Sequence, residues 1–321
     1  MIVITGAEGF IGSCLVAKLN NEGFNDLVLV DDFGQTDRLK NLAGKSFTTK
    51  VERKDFLAWL DANENSVQFI FHIGARTDTT EKDEVIFKQL NIDFTKQLWL
   101  KCIGYGLPIV YASSAATYGD GAFGYDDEIS GIDKLKPLNA YGRSKNEIDK
   151  WILQQPRQPF FWAGLKFFNV YGPNEYHKGR MASVIMHAHN QIIESGEITL
   201  FRSHKAEYND GEQMRDFIYV KDVVDVCLFF MLTRKQSGLF NLGSGKARTW
   251  NDLAKSIFLA LNKKPQIEYI DIPKDIRDTY QYFTEAKTSK LYDAGYHKPF
   301  TAIEDGVKDY VINYLTEHKY W

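Results

Sequence analysis

Cysteine is scarce in this chain of 321 residues, long apolar runs are missing, and no long block of positive charge occurs. The three cysteines, Cys14, Cys102 and Cys227, are odd in number and far apart, which argues against a disulfide framework or a zinc cluster. Each lies in an apolar helical pattern and reads as a small core residue. Hydrophobic residues make up 44% of the chain, but in runs well short of the roughly 18 residues that span a bilayer. Net charge is -3 with 25% charged residues, so neither nucleic acid nor a membrane surface is an expected partner. The opening Met1-Ile-Val-Ile-Thr5 is strand-like and lacks the basic start and cleavage site of a secretory signal, which makes cytoplasm the expected compartment.

What the chain does have is alternation. Short apolar runs ending in small or acidic residues exchange with longer amphipathic stretches through the first half, the pattern of βαβ units on a parallel sheet. Strands are expected near 1–5, 27–31, 68–72, 109–113 and 162–168, with helices at 12–21, 56–62, 85–103 and 141–154. Beyond residue 173 the rhythm changes to a helix over 181–194, a strand at 216–220, and helices near 249–261 and 302–314. The fold class that follows is α/β, a Rossmann-type doubly wound parallel sheet with a smaller α/β substrate lobe. Residues 1–170 form the expected cofactor-binding domain, with 214–240 returning to it. Residues 171–213 and 241–321 form most of the second lobe. The polar, aperiodic segment 203–213 reads as an exposed loop.

Thr5-Gly6-Ala-Glu-Gly9-Phe-Ile-Gly12 follows the first strand and opens the first helix. There the glycines let the backbone approach a pyrophosphate, whose charge the helix N-terminus stabilises. Glu8 adds negative charge to this turn, and its side chain is expected to point outward. Asp31 ends the second strand and favours NAD, because a carboxylate accepts from the ribose 2'-hydroxyl and repels a 2'-phosphate. Arg38, Lys40, Arg53 and Lys54 follow closely and supply the positive charge that NADP needs. The residues alone leave that choice open.

Tyr141 and Lys145 lie four apart in Asn139-Ala-Tyr-Gly-Arg-Ser-Lys145, and no other of the 17 tyrosines is followed by lysine at that spacing. On a helix both side chains share one face. A phenol is a poor base, with a reference pKa of about 10, but a neighbouring ammonium favours the phenolate. Chance supplies roughly one such pair in a chain of this composition, so the pair needs support. The segment Tyr111-Ala-Ser-Ser114-Ala-Ala-Thr117-Tyr-Gly119 gives it, since it follows an apolar strand and offers Ser114 or Thr117 to the hydroxyl that Tyr141 deprotonates. His187 and His189, two apart, face different sides of a helix and form no metal pair.

Together, Gly6, Gly9 and Gly12 with Ser114, Tyr141 and Lys145 resemble the extended short-chain dehydrogenase/reductases that act on nucleotide sugars. Further segments are similar to the ADP-heptose 6-epimerase branch of that family. They are Pro137-Leu-Asn-Ala-Tyr-Gly-Arg-Ser-Lys145, Phe167-Phe-Asn-Val-Tyr-Gly-Pro173, His177-Lys-Gly-Arg-Met-Ala-Ser-Val184, Arg215-Asp-Phe-Ile-Tyr-Val220 and Phe240-Asn-Leu-Gly243. The resemblance implies Tyr141 and Lys178 as two acid/base residues, with Lys145 supporting Tyr141 and Ser114 holding the hydroxyl. It implies Phe10, Ile11, Asp32, Arg38, Arg53, Gly74, Ala75, Asn91 and Val170 beside NADP, with NAD as the alternative. Asn169, Arg180, His187, Phe201, Arg215 and Tyr280 fall at substrate positions, and the assembly implied is a homo-oligomer, a pentamer.

Two acid/base residues suit epimerisation, because oxidising an unactivated carbinol to a ketone makes the centre planar and reversible through the cofactor. Hydride then returns to the opposite face, and a second proton donor serves the new orientation. Lysine in a buried or cationic setting can do this. Two features depart from the family pattern: Arg180 stands where a small residue is usual, and the 203–213 connection is longer. Arg180 has three readings, a diphosphate contact, a sugar contact or a cover on the pocket. Dehydratases of the family carry Asp-Glu where this chain has Ala115 and Ala116, which argues against loss of water. A UDP-hexose 4-epimerase and a non-catalytic cofactor-sensing protein are the remaining alternatives.

Overall fold

The apolar runs of the first half are buried on both faces, which is the reason they lie side by side in a parallel sheet. In the computed structural model, which describes residues 1–81, 83–277 and 280–321, the first half runs β1 (Ile2–Thr5), α1 (Phe10–Asn21), β2 (Leu27–Asp31), β3 (Thr49–Glu52), α2 (Phe56–Asn63), β4 (Phe69–His72), α3 (Glu84–Phe87), α4 (Phe94–Tyr105), β5 (Ile109–Ser114), α5 (Ala140–Leu153) and β6 (Trp162–Phe167). The remainder runs β7 (Asn169–Tyr171), α6 (Val184–Glu194), β8 (Ile198–Phe201), β9 (Met214–Tyr219), α7 (Val220–Thr233) and β10 (Gly238–Leu242). It continues with β11 (Ala247–Thr249), α8 (Trp250–Ala260), β12 (Ile267–Ile270), α9 (Lys274–Arg277), α10 (Ser289–Asp293) and α11 (Ile303–Tyr310).

The seven-stranded sheet has the order β10-β6-β5-β4-β1-β2-β3, and every neighbouring pair is parallel. Side chains alternate between its faces, as the pleat requires: Ile2, Ile4, Leu27 and Leu29 join α1 and α7 in one core, while Val3, Val28 and Val30 join α2, α4 and α5 in the other. Cys14 and Cys227 fill the first core and Cys102 the second, all as free thiols. The fully buried Leu15, Val16 and Leu19 of α1 stabilise by about 1.5–3 kcal/mol each. The Lys18–Glu22 pair on the same helix, at 2.7 Å, is worth only about 0.3–0.5 kcal/mol. Burial, not surface pairing, holds α1 down. Chain order reverses at β1, between β2 and β4, so the crevice of the doubly wound sheet opens at the carboxyl ends of these strands. Two small sheets follow, β11-β9-β7 and β12-β8.

Several expected elements come out differently. The helix expected over 85–103 is broken into α3, a π-helical segment Lys88–Asp93 and α4, and the π segment carries the buried Asn91. The helix expected from 181 starts at Val184, where the Ser183 hydroxyl accepts from Met186 N–H. Before it lies a 3-10 turn, Tyr176–Met181, kinked at Gly179 with φ 51°. The strand expected at 216–220 spans Met214–Tyr219. β3, Thr-Lys-Val-Glu with only Val51 buried, carries no apolar run and escaped the pattern. In the segment read as an exposed loop, Lys205 to Glu207 are exposed, but Gly211 and Gln213 are buried. Gln213 Nε2 donates to the Phe201 and Arg202 carbonyls, which ties the end of the loop to β8.

Candidate active site

The turn after β1 is built from backbone contact. Gly6 has φ +67°, and a Cβ there would lie 2.5 Å from Gly74 Cα; a Cβ at Gly12 would lie 2.0 Å from the Gly6 carbonyl oxygen. No side chain fits where the two strand ends and the first turn of α1 meet. Gly9 is the N-cap of α1 and no side chain caps the helix, so the first-turn N–H groups at Phe10, Ile11 and Gly12 are free for an anion. Gly74 N–H donates to Thr5 Oγ1 (3.1 Å), which lies 2.8 Å from His72 Nδ1, and His72 Nε2 lies 2.8 Å from Thr95 Oγ1. Burial drives the His72 pKa down to about 3, so the ring is a neutral strut. Ala75 follows, and Arg76 N–H donates to Asn91 Oδ1 at 2.8 Å, while Asn91 Nδ2 donates to the Arg76 carbonyl and to Ser144 Oγ of α5. The π segment thus turns Asn91 into a clamp between the β4 loop and α5.

At the end of β2 the Asp31 carboxylate accepts from Glu8 N–H (2.9 Å) and Asp32 N–H (2.8 Å), with Arg38 at 3.7 Å. Arg53 pairs with Asp32 at 2.6 Å, and Lys40 and Lys54 are exposed. Both a carboxylate and cations therefore face this corner. Glu8 corrects the expectation of an outward side chain: it is fully buried, neither carboxylate oxygen has a hydrogen-bond partner, and Lys50 stands 3.8 Å away. Burial raises its pKa, which limits the negative charge it brings to the turn. A dinucleotide fits this cradle, because glycine backbone, an uncapped helix start and a carboxylate at the end of β2 occur together.

β5 and α5 supply the reactive side chains. Gly142 brings α5 close to the turn after β5, since a Cβ there would lie 2.8 Å from the Ala116 carbonyl oxygen. Tyr141 is thereby brought beside Ser114, whose hydroxyl favours the phenolate. Lys145 Nζ donates to the Ala112 carbonyl at 2.8 Å, and burial draws its pKa down to about 8 against the opposing pull of Asp149. The Tyr141 phenol is not lowered as the spacing implied: burial raises its pKa, and the Ser114 hydroxyl offsets this only in part. Thr117 is excluded from the reacting hydroxyl, because its fully buried Oγ1 donates to the Ser114 carbonyl (2.8 Å) and accepts from Lys166.

Lys178 reaches the crevice from the turn Tyr176–Met181, its ammonium 5.2 Å from the Phe10 ring at the start of α1. Burial lowers its pKa and Glu175 opposes that. Glu175 is itself fully buried, accepting from Ser183 N–H (2.5 Å) and Ser183 Oγ (2.6 Å). Asn174, at φ 73°, donates to Ser13 Oγ and the Trp321 carbonyl and accepts from Trp321 N–H. Sequence reasoning passed over both residues: the partners of Asn174 are distant in the chain, and Glu175 is engaged by Ser183 across an irregular turn. His177 lies 3.2 Å from Asn41, with its pKa lowered to about 4 by burial.

Of the substrate candidates, Arg180 is exposed and donates to Thr80 Oγ1, with Asp78 at 3.6 Å. Arg215 is 7% exposed; its guanidinium stands 5.7 Å from the Trp250 ring and 5.3 Å from the Tyr280 ring and donates to the Met214 and Gln281 carbonyls. Among the described residues no carboxylate pairs with it, so it presents uncompensated positive charge. Phe201 packs edge-on against Tyr280 at 5.8 Å. Asn169 is exposed and Val170 half-buried at the start of β7, and His187 is half-buried on α6. Asp216, beside Arg215, belongs to the packing: its carboxylate accepts from Ser244, Gly245 and Ala286 N–H groups.

The doubly wound fold, the glycine cradle and the Ser-Tyr-Lys set define an enzyme that works with a nicotinamide dinucleotide. The sequence pattern of the "NAD dependent epimerase/dehydratase family" matches residues 2–243, and the chain belongs to that family as an enzyme of the epimerase type. It is 45% identical to an ADP-L-glycero-D-manno-heptose-6-epimerase of Fusobacterium nucleatum, over 99% of this chain and 98% of that one. A protein of the same name from Nitratidesulfovibrio vulgaris is 46% identical over 98% of each chain. The crystal structure of the Helicobacter pylori ADP-L-glycero-D-manno-heptose-6-epimerase superposes with a TM-score of 0.80 at 29% identity, covering 97% of this chain and 95% of that one. Among the described residues no helix is long and apolar enough to cross a membrane.

Proposed function

We propose that the chain interconverts ADP-D-glycero-D-manno-heptose and ADP-L-glycero-D-manno-heptose at C6, using NADP, in the supply of heptose for the lipopolysaccharide core. The observation that carries this reading is a pair of acid/base candidates on separate elements, Tyr141 on α5 beside Ser114 and Lys178 on the Tyr176–Met181 turn beside Phe10. Relatives of that name over nearly the whole chain support it. When bound, the nicotinamide supplies reversible hydride transfer at the carbinol carbon. Gly6, Gly9, Gly12, Gly74, Asp31 and Lys145 would hold the dinucleotide, with Arg38 and Arg53 available to a 2'-phosphate. Tyr141 exchanges the proton of the C6 hydroxyl in one configuration, with Ser114 fixing the oxygen. Lys178 exchanges it in the other after the 6-keto sugar has turned over. A lysine lowered by burial is suited to both directions of proton transfer. Arg215 takes the diphosphate, for which its unpaired guanidinium is matched.

Domains divide as 1–170 with 214–240 for cofactor and the rest mainly for substrate, the assembly is a homo-oligomer of pentameric type, and the compartment is the cytoplasm. The test is to supply the D-glycero substrate to purified holoprotein without added cofactor and follow C6 configuration by NMR. Interconversion is the expected result. Turnover of a UDP-hexose in its place would sink the assignment in favour of a 4-epimerase. Cofactor released by denaturation, separated by chromatography, decides NADP against NAD.

A further inference from the structure

Tyr141, Lys145 and Asp149 follow one another at four-residue steps along α5, so they form one row on one face of the helix. Each meets a successive position of β5. Tyr141 stands beside Ser114, and Lys145 donates to the Ala112 carbonyl. The fully buried Asp149 accepts from Tyr111 OH at 2.9 Å and from Ser113 Oγ at 2.6 Å. A third donor comes from the adjacent strand: Lys166 of β6, 2% exposed, reaches Asp149 at 2.6 Å and Thr117 Oγ1 at 2.8 Å. Thr117 in turn donates to the Ser114 carbonyl. The ion pair therefore grips both ends of the reacting set, the helix that carries Tyr141 and the turn that carries Ser114.

We propose that Asp149 and Lys166 are positioning residues, a buried pair that holds Tyr141 and Lys145 in register with Ser114 and supports the Lys145 ammonium. The proposal rests on the reading of Tyr141 and Lys145 as working residues. A buried ion pair is seldom retained for stability alone, because apolar replacements often serve as well. Here the pair stands one helical turn from a lysine whose charge matters. Among the described residues, charged and titratable groups on the elements around Lys145 are few. They are Asp149 and Tyr141 on α5, Tyr111 on β5, Lys166 on β6, Tyr118 in the turn after β5, and His72 on β4, whose neutral ring feels the Lys145 charge. The other α5 charges, Arg143 with Glu84, Glu147 with Lys96 and Lys150 with Asp133, pair on its outer face.

The two members act on Lys145 with opposite sign. Removing the carboxylate makes the ammonium easier to deprotonate, and removing the Lys166 cation makes it harder. The experiment follows the Lys145 resonance by NMR of the holoprotein labelled at lysine Cε, assigned by its loss in Lys145→Arg, together with kcat against pH. Asp149→Asn is expected to move the Lys145 titration and the alkaline limb of kcat down by about one pH unit, and Lys166→Met to move both up. Lys166→Arg should restore wild-type behaviour. If a single variant fails to fold, the Asp149→Asn/Lys166→Met double variant leaves no unpaired buried charge; the two opposed effects should offset, so that Lys145 titrates near wild type while kcat falls because the grip on Tyr141 and Ser114 is lost. Equal or like-signed shifts in the two single variants, or a double variant whose Lys145 titration moves as far as that of Asp149→Asn or whose kcat is unchanged, overturn the proposal. Opposed NMR shifts with an unmoved kcat profile would sustain the pair's hold on Lys145 and overturn instead the reading of Lys145 as a working group.

Discussion

Lys145 and Lys178 are both ammonium groups lowered by burial, yet the protein holds them by different means. Lys145 projects from the middle of a 14-residue helix whose N-cap, Asn139, accepts from Gly142 N–H at 2.7 Å, and its place follows from helix geometry, the Ala112 carbonyl and the buried Asp149–Lys166 pair one turn on. Lys178 sits on a kinked 3-10 turn with no regular hydrogen-bond ladder to fix it. It is held from outside, by Asn174 stitched to Ser13 and Trp321 and by Glu175 tied to Ser183. The Lys145 side is secured by regular structure, whereas the Lys178 side depends in part on Asn174, which closes chain segments more than a hundred residues apart. Damage to tertiary packing should therefore reach Lys178 first.

The largest effects come from removing the reacting groups themselves. Tyr141→Phe and Lys178→Met are each expected to lower kcat for epimerisation by about 10²–10⁴-fold with unfolding midpoints near wild type. Wild-type rates in Lys178→Met would collapse the comparison, leaving a one-sided oxidoreductase site. Next comes Glu175→Gln, whose amide nitrogen cannot accept, so that one of the two bonds from Ser183 N–H and Ser183 Oγ is lost. A loss of about 1–3 kcal/mol in urea unfolding is expected, with activity falling more than cofactor affinity.

Acid titration reads both sides at once. His72 near Lys145 and His177 near Lys178 have folded pKa values of about 3 and about 4, below the usual 6.5. The unfolded chain binds protons that the folded chain refuses, so stability is complete above pH 6.5 and falls as pH drops towards those values. The slope per fully buried histidine is at most about 1.4 kcal/mol per pH unit. His72→Gln should flatten the acid limb of an unfolding series more than His177→Gln, whose site is half-exposed to water. Equal flattening would contradict the burial difference. Smallest is Arg180→Ala: the side chain is exposed and its partners are Asp78 and Thr80, so stability should change by less than about 1 kcal/mol. A larger drop in substrate affinity would instead make Arg180 a direct contact.

What the sequence made legible were the features written in short spacing. Gly6-x-x-Gly9-x-x-Gly12 and Tyr141 with Lys145 depend on one turn and one helix, and both fell where local periodicity put them. Hidden features arise where partners are remote or the backbone departs from regularity. Lys166 reaches Asp149 across two elements, Asn91 turns inward only because the helix widens to a π segment, and Arg215 gains its character from rings at 250 and 280. Glu8 was misread because a charged residue in a turn ordinarily faces water, whereas here the turn is folded over by β2 and β3. The Tyr141 proton affinity was misread for a related reason: spacing shows the neighbouring ammonium but not the loss of water around the phenol.

The contact among Gly6, Gly12 and Gly74 has one more consequence. Because each clash would be with main-chain atoms, no repacking of a neighbouring side chain relieves it. In a saturation library the three positions should behave as a single immutable unit without second-site suppressors, while Glu8, enclosed by side chains in the same turn, should accept compensated exchange with Lys50.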